Sequence, residues 1–386
     1  MLERLKRSAT ILMIGVFFVL LWLPLADSVF HLDRSPMLNE KRQLAGFPAW
    51  AAGFSGLRGF LSGLDAYHRD HFGFRRPLIR LGQKLKSRLF RESAFSDVMI
   101  GRDGWLYLVD ARMIERYRGL DLFTPEDLRN WQSLLERRRD WLAARGIKYL
   151  FVIPPDKQSV YPEYLPDWMT PAGSVTKLDQ FVAYLKAHST VEVLDLRPVL
   201  REAKRARRTY LFTDTHWNDY GSFVGYQALI RALARQLPGL GEPLSLDDFE
   251  EHSREWKDGD LSNLLGQSQT MPEKDFVELV PRPPRSALEL HTDDSIYPNQ
   301  WKTGTLPSYT ENPAQKYNIL LFRDSFAHGW TPFVGFNFKR AVFIWQYHWN
   351  APVIEREKPD VVVDEVVERF VCQLDPRQLL QEDELK

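Results

Sequence analysis

The sequence predicts an α/β fold on a mostly parallel sheet, and two observations predict it. Short apolar runs alternate with amphipathic segments of 10 to 18 residues, the signature of βαβ units. Two of those runs end in compact polar motifs, Asp214-Thr-His216 and Arg323-Asp-Ser325. Open α/β sheets place their sites at such strand ends.

Bulk properties set the frame. A chain of 386 residues suffices for one large domain or two ordinary ones with full cores. Lys+Arg and Asp+Glu are equal at 51 each, which leaves no electrostatic footprint for nucleic acid or anionic lipid. The local basic clusters Arg137–Arg139 and Lys204–Arg208 read as solvated helix faces or as charge favoured near a helix C-terminus. Twelve Trp are compatible with stacking on sugars, although core packing is the commoner use of this residue. Cys372 is the single cysteine, so there is neither a disulfide framework nor a cysteine-based metal site.

The first 26 residues predict a signal anchor. Arg4, Lys6 and Arg7 precede eighteen residues, Ala9 to Ala26, with no charge before Asp27. That length is at the short end of a membrane span, and the basic flank keeps the N-terminus cytoplasmic. Cleavage after Ala26 would put Pro24 where a small residue is wanted, which favours an uncleaved inner-membrane anchor over a signal peptide. Residues 27–96 read as a stalk and helical lead-in, and 97–386 as the α/β domain. Within the lead-in, His68 and His71 lie three apart. They lack an evident third ligand for a metal and suit a polar helix end.

In chain order, Gly101-Arg-Asp-Gly104 between apolar runs predicts a hairpin over 98–109. Thr124-Pro125 with Asp127 predicts a capped helix running to about Ala144 and ended by Gly146. Ile147–Ile153 is a buried strand stopped by Pro154-Pro155-Asp156-Lys157. A helix over 174–187, a strand over 191–196 and a helix over 197–205 follow. Tyr210–Thr213 reads as a further strand, and Asn218 caps a helix continuing to about Gln236. Residues 237–316 break the rhythm, with prolines recurring from Pro272 to Pro307. They read as an insertion, a lid or small β-rich cap over the sheet. Strands then resume at 319–322, 341–345 and 361–367, with a short helix near 353–357.

Ser325 follows the strand Ile319–Phe322 and opens a helix. A serine on such a turn lifts its hydroxyl beside unpaired helix amides, which suits a nucleophile with an oxyanion to stabilise. The alternative is that Ser325 merely caps the helix. A base is available in Asp214 and His216, which project to one side of an extended segment. The carboxylate then fixes the imidazole tautomer while the other ring nitrogen takes the serine proton. Alternatively, Asp214 bonds loop amides and His216 is an ordinary surface residue. As a metal pair the two would need further ligands, and the spacing of His252, His328 and His348 supplies no argument for one.

Five motifs in order resemble the AlgJ/AlgX family of SGNH-hydrolase-like proteins. They are Gly101–Tyr107, Pro154–Lys157 with Tyr161-Pro162, Asp214–Trp217, Phe322–Phe326 and Lys358–Arg369. The resemblance implies a three-layer SGNH-type fold with a circularly permuted order, the Asp–His block preceding the Ser block. It implies a periplasmic O-acetyltransferase acting on an exopolysaccharide such as alginate. In that role Ser325 is acetylated, His216 is base and acid, and Asp214 orients it. Arg323, Trp217 and Tyr347 are the expected substrate-binding residues, with Trp349 a further aromatic candidate for lining the site; for Tyr347 and Trp349 the alternative is a core or rim aromatic. The resemblance also implies a polysaccharide acceptor, an MBOAT-type membrane acyltransferase as acetyl donor and other polysaccharide export proteins as partners, with no cofactor or metal. The anchor resembles the AlgJ branch, since the 17 residues after Arg369 leave no room for the C-terminal carbohydrate-binding module of AlgX-like members. One departure stands out: many SGNH proteins have Gly-Asp-Ser where this chain has Arg323-Asp324-Ser325. That arginine either alters the oxyanion hole or contacts an acidic sugar or acetyl carbonyl, and no asparagine is assigned to complete the hole. Two rival functions share the residues: a carbohydrate acetylesterase with the same triad, and an inactive glycan-binding scaffold of an export complex.

Overall fold

The computed structural model describes residues 97–110, 112–283, 288–296 and 306–383 with Leu385. Before residue 97 it describes 54–74, 46–49 and isolated positions between 13 and 32. The chain divides into two compact units, residues 1–98 with 262–270, and residues 99–261 with 271–386.

In the first unit the helix Phe54–His71 is the main described element. At its end His71 donates from Nδ1 to the Tyr67 carbonyl oxygen at 3.0 Å and stacks on the Tyr67 ring. That is helix-end chemistry, as expected of this histidine pair. The expected anchor over 1–26 lies largely outside the described residues. Among those described, no helix is long and apolar enough to cross a membrane.

The second unit is organised by a seven-stranded sheet of order β4-β3-β11-β9-β10-β8-β7. The strands are β3 (Lys148–Ile153), β4 (Val193–Asp195), β7 (His291–Thr292), β8 (Ser308–Glu311), β9 (Asn318–Arg323), β10 (Arg340–Trp345) and β11 (Val361–Glu365). Neighbours from β4 through β10 pair in parallel, whereas β8 and β7 add antiparallel at one side. The outermost strands are short, three residues for β4 and two for β7. Before the sheet, β1 (Val98–Ile100) and β2 (Leu106–Leu108) form the expected hairpin. Its turn uses Gly104 at φ +79°, a left-handed conformation that side chains resist.

Because successive strand residues point to opposite faces, each apolar run feeds two cores. Leu150, Val152, Ile319, Leu321, Ala341, Phe343, Val361 and Val363 face one, where Phe223, Tyr226, Leu229 and Leu233 of the helix Asp219–Ala234 cover them. Phe151, Leu320, Phe322, Val342 and Val362 face the other, covered by Trp131, Leu135 and Leu142 of the helix Pro125–Ala143 and Phe181 of the helix Lys177–His188. The result is three layers, with both sheet faces dry, as parallel sheets require. The helix starts are set locally. Thr124 and Asp127 form a reciprocal capping box, and so do Thr176 and Asp179. This second box starts its helix three residues later than the expected 174.

Three expectations are corrected. Tyr210–Thr213 is not a strand; it makes only a single antiparallel bridge, Tyr210 to Trp217. Its backbone is bound instead by groups outside the sheet, such as the Leu106 N–H donating to the Phe212 carbonyl oxygen at 2.8 Å. Residues 237–316 are not one insertion, because β7 and β8 belong to the central sheet. Ahead of them lies a two-stranded antiparallel sheet of β5 (Phe249–Trp256) and β6 (Glu273–Pro281), bulged between Arg254 and Trp256. After buried Phe249, β5 exposes residues 250–255, so no apolar periodicity announces it.

The third correction is Arg138, which is not on a solvated helix face but 2% exposed. Its guanidinium donates to both carboxylate oxygens of Asp383, to Asp364 and to the Tyr347 carbonyl oxygen, all at 2.7–2.8 Å. It also lies over the Trp349 ring, 4.8 Å from its centroid. Trp349, 0% exposed, donates from Nε1 to Asp364 at 2.7 Å, so this aromatic belongs to the core. Removing one partner from such a buried network strands the other charges. Arg138→Ala is therefore expected to lower the unfolding free energy by about 3–5 kcal/mol, as read by urea denaturation.

Candidate active site

Ser325 stands just beyond β9, the strand flanked by β11 and β10. It has helical backbone angles and makes no side-chain capping bond to the 3-10 helix Phe326–Trp330 that follows. The capping task falls to Asp324. Its Oδ1 accepts the Phe326 N–H at 2.8 Å, while Oδ2 accepts the Val367 N–H at 2.8 Å and the Tyr347 hydroxyl at 3.2 Å. The Ser325 hydroxyl is thereby released from the backbone. Beneath the turn, Glu365 is wholly buried and accepts the Asp324 N–H at 2.8 Å. Burial, and then the neighbouring Asp324 carboxylate, push the Glu365 acid well above its usual range.

Arg323 points inward. It is 2% exposed, donates to the Asp324 carbonyl oxygen at 3.0 Å and lies 4.9 Å from the Trp345 ring centroid. Its Nε has no hydrogen-bond partner among the described residues, and burial draws its pKa below the usual arginine range.

The loop 213–216 brings His216 to the serine, with Nε2 2.8 Å from Ser325 Oγ and Nδ1 2.6 Å from Asp214 Oδ1. Asp214 also accepts the His216 N–H at 2.9 Å and, on Oδ2, the Asp260 N–H at 2.7 Å. Burial opposes the charge on Asp214, but the His216 hydrogen bond, the imidazole's charge and the two amides outweigh it and hold the acid at about 2. Both readings of Asp214 thus meet in one residue, since it binds loop amides and the imidazole together.

Without strand partners, the loop is held by side chains from elsewhere. Glu273 of β6, fully buried, accepts both the N–H and the hydroxyl of Thr213 at 2.8 Å. Asp260, which opens the helix Asp260–Leu264, accepts the N–H of Thr215 at 2.8 Å and its hydroxyl at 2.6 Å. Lys157 of the Pro-Pro-Asp-Lys motif donates to the carbonyl oxygens of Leu106 and Phe212 at 2.7 and 3.3 Å. Its burial lowers that ammonium to about 8. The Tyr210 hydroxyl donates to the Pro155 carbonyl oxygen at 2.5 Å, and Asp156 is paired with buried Arg369 at 2.6 Å. Three of the sequence motifs therefore serve the posture of one loop.

Of the residues singled out in the sequence, Asp214, His216 and Ser325 are brought together in one hydrogen-bonded line. Tyr347 reaches the turn through Asp324, whereas Arg323 and Trp217 are buried. Trp217 is 5% exposed and packs against Phe326 and Trp330. A Cβ on Gly329 would lie 2.8 Å from its Nε1, so that glycine permits the close approach. Asp260, Glu273 and Glu365 were not anticipated; the first two sit where periodicity is weak.

Asp214, His216 and Asp260 each offer an atom that could ligate a metal, all within 4.8 Å of one another. Each already has hydrogen-bonding work: both ring nitrogens, both oxygens of Asp214 and both of Asp260. A cation would have to displace these bonds.

The three-layer architecture, with its Asp–His block preceding the serine block, defines an SGNH-hydrolase-like fold. Two solved structures share that fold. Bacillus cereus PatB1 is 16% identical with a TM-score of 0.53, covering 71% of this chain and 96% of that one. A DHHW family protein from Eubacterium siraeum is 15% identical with a TM-score of 0.53, covering 75% and 96%. A family model described as "SGNH hydrolase-like domain, acetyltransferase AlgX" matches residues 98–297, and the chain belongs to that family. Among curated relatives, the "Probable alginate O-acetylase AlgJ" of Pseudomonas putida is 30% identical over 235 residues, 58% of each chain. That of Pseudomonas fluorescens is 28% identical over 322 residues, 80% of this chain and 74% of the relative. The chain thus spans little more than half the length of the first of these.

The depressed Asp214 acid has a consequence for stability with a definite sign. A carboxylate held at about 2 stabilises the fold above its unfolded value of about 4, and the contribution disappears as pH falls towards 2. Relative to Asp214→Asn, which does not titrate, the wild type should gain on the order of 2 kcal/mol near pH 6 from this ionisation. Denaturant titrations of both proteins should show that gain shrinking between pH 4 and pH 2. A pH-independent difference would contradict the assigned environment.

Proposed function

We propose that this chain is an O-acetyltransferase working through an acetyl-serine on Ser325. The observation that carries the reading is the unbroken line Asp214 Oδ1–His216 Nδ1 and His216 Nε2–Ser325 Oγ. In this reading Nε2 takes the hydroxyl proton as Oγ attacks the acetyl carbonyl carbon. The imidazolium, steadied by Asp214, returns the proton to the departing group of the donor ester. A sugar hydroxyl then gives its proton to His216, attacks the acetyl-serine and leaves as the O-acetyl sugar, with the proton restored to Oγ. Membership of the AlgX family and the relatives' name point to a polysaccharide acceptor of the alginate kind.

The same kinship supports a catalytic unit in the periplasm. The basic and apolar N-terminal sequence supports an inner-membrane anchor, with an MBOAT-type acyltransferase handing acetyl outward and export proteins nearby. Of the expected substrate contacts, Arg323 and Trp217 are too buried to meet a polymer. We assign them to the support of the Ser325 turn and keep Tyr347, partly buried beside Asp324, as the candidate lining residue.

The test offers the purified full chain an activated acetyl ester, with and without polysaccharide fragments. Mass spectrometry should find acetyl on Ser325 and then on the oligosaccharide. Release to water alone, with fragments present, would mark an esterase. Ser325→Ala should abolish labelling, and His216→Ala should slow it by about two to four orders of magnitude. Variants indistinguishable from the wild type would leave a non-enzymatic scaffold.

Replacing Tyr347 with Phe should raise KM for the oligosaccharide with little change in labelling of Ser325 by the small ester. Equal loss in both would place the hydroxyl's role with Asp324 and the turn instead.

A further inference from the structure

A second acidic residue lies one hydroxyl away from the imidazole. Thr215 Oγ1 lies 3.2 Å from His216 Nδ1, and its hydroxyl donates to Asp260 Oδ2 at 2.6 Å. The Thr215 N–H donates to Asp260 Oδ1 at 2.8 Å, so the two groups are gripped as a pair. Thr215 is 5% exposed, which keeps bulk water from competing for the hydroxyl. A hydroxyl has one proton and two lone pairs. With that proton committed to Asp260, only lone pairs face Nδ1. The ring nitrogen is then bordered by two acceptors, Asp214 Oδ1 and Thr215 Oγ1, and must itself carry the proton. That leaves Nε2 bare, the state needed to accept from Ser325.

We propose that Asp260 is a positioning residue that fixes His216 as its Nδ1–H tautomer by turning the Thr215 proton away from the ring. The inference rests on the base role given to His216. It also accounts for an acidic side chain, from a region of weak periodicity, that binds both the N–H and the hydroxyl of one loop residue while its own N–H binds Asp214.

Asp260→Asn keeps the shape and reverses the logic. The Thr215 N–H still requires the amide oxygen, so the amide NH2 meets Thr215 Oγ1 as a donor. The hydroxyl proton is displaced towards Nδ1, favouring the Nε2–H tautomer. Thr215→Val removes that proton altogether. The experiment records nitrogen-15 spectra of the histidine-labelled full chain, with His216 assigned through His216→Gln. Acylation of Ser325 by the activated acetyl ester is followed alongside.

Wild type and Thr215→Val should show His216 protonated on Nδ1. Asp260→Asn should move a measurable share to Nε2–H and slow acylation by about tenfold or more. The double variant Asp260→Asn/Thr215→Val should recover the wild-type tautomer and the rate of Thr215→Val. An unchanged tautomer in Asp260→Asn overturns the proposal, as does a double variant that stays shifted. So does a wild-type His216 signal that responds to a chelator, which would assign the three groups to a cation. If the tautomer responds as expected but Ser325 is never acylated, the role of Asp260 stands and the base role of His216 falls.

Discussion

The histidine that meets Ser325 is carried by a segment with no place in the sheet, and the site depends on how that segment is held. Backbone groups in a buried loop must be satisfied somewhere. Between Tyr210 and Trp217 they find side chains and outlying amides: Lys157 and Leu106 at Phe212, Glu273 at Thr213, Asp260 at Thr215. Several of these partners are charged and buried, and hydrogen bonds to charged groups are worth about 1.5–3 kcal/mol each, roughly twice the neutral kind. They also cannot be exchanged for apolar packing without leaving the loop's own donors orphaned. Polar anchorage here performs the task that strand pairing performs for the serine.

The serine side is built differently. β9 is paired on both sides, by β11 and β10, so the turn after Arg323 starts from a fixed point. Asp324 takes over the capping of the following helix, and Arg323 and Glu365 fill the space beneath with buried polar groups. The two halves meet through Trp217, whose ring lies against Phe326 and Trp330 of the helix after the serine. That aromatic contact and the 2.8 Å His216–Ser325 bond join the two halves.

Much of this was legible in the sequence wherever local chemistry decides the outcome. Thr124 with Asp127 named a helix start to the residue, and β3, β9, β10 and β11 each carry a continuous apolar run because both of their faces are buried. Asp214, His216 and Ser325 could be paired because an Asp-x-His on an extended segment and a serine after a buried strand are complementary chemistry, although only the serine turned out to follow a strand. What escaped was set by tertiary contact. Tyr210–Thr213 has the composition of a strand and lacks a neighbour to pair with. Arg138 sits in a run of three arginines, and only the distant Asp364 and Asp383 show which of them is inside. β5 presents charged side chains to solvent along nearly its whole length, so no period distinguishes it from a loop. Asp260 is one acid among many until its two bonds to Thr215 are seen.

The brevity of the outer strands bears on how copies of this protein coexist. Peptide groups along the margin of a sheet are an open template for another chain, and long flat margins invite fusion of neighbouring molecules. Here one margin is the three-residue β4 and the other the two-residue β7, laid antiparallel beyond β8. Among the described residues, each offers too few free groups in register to recruit a foreign strand. A sheet finished in this way gives neighbouring copies little backbone to pair with, which guards against molecules zipping into one another.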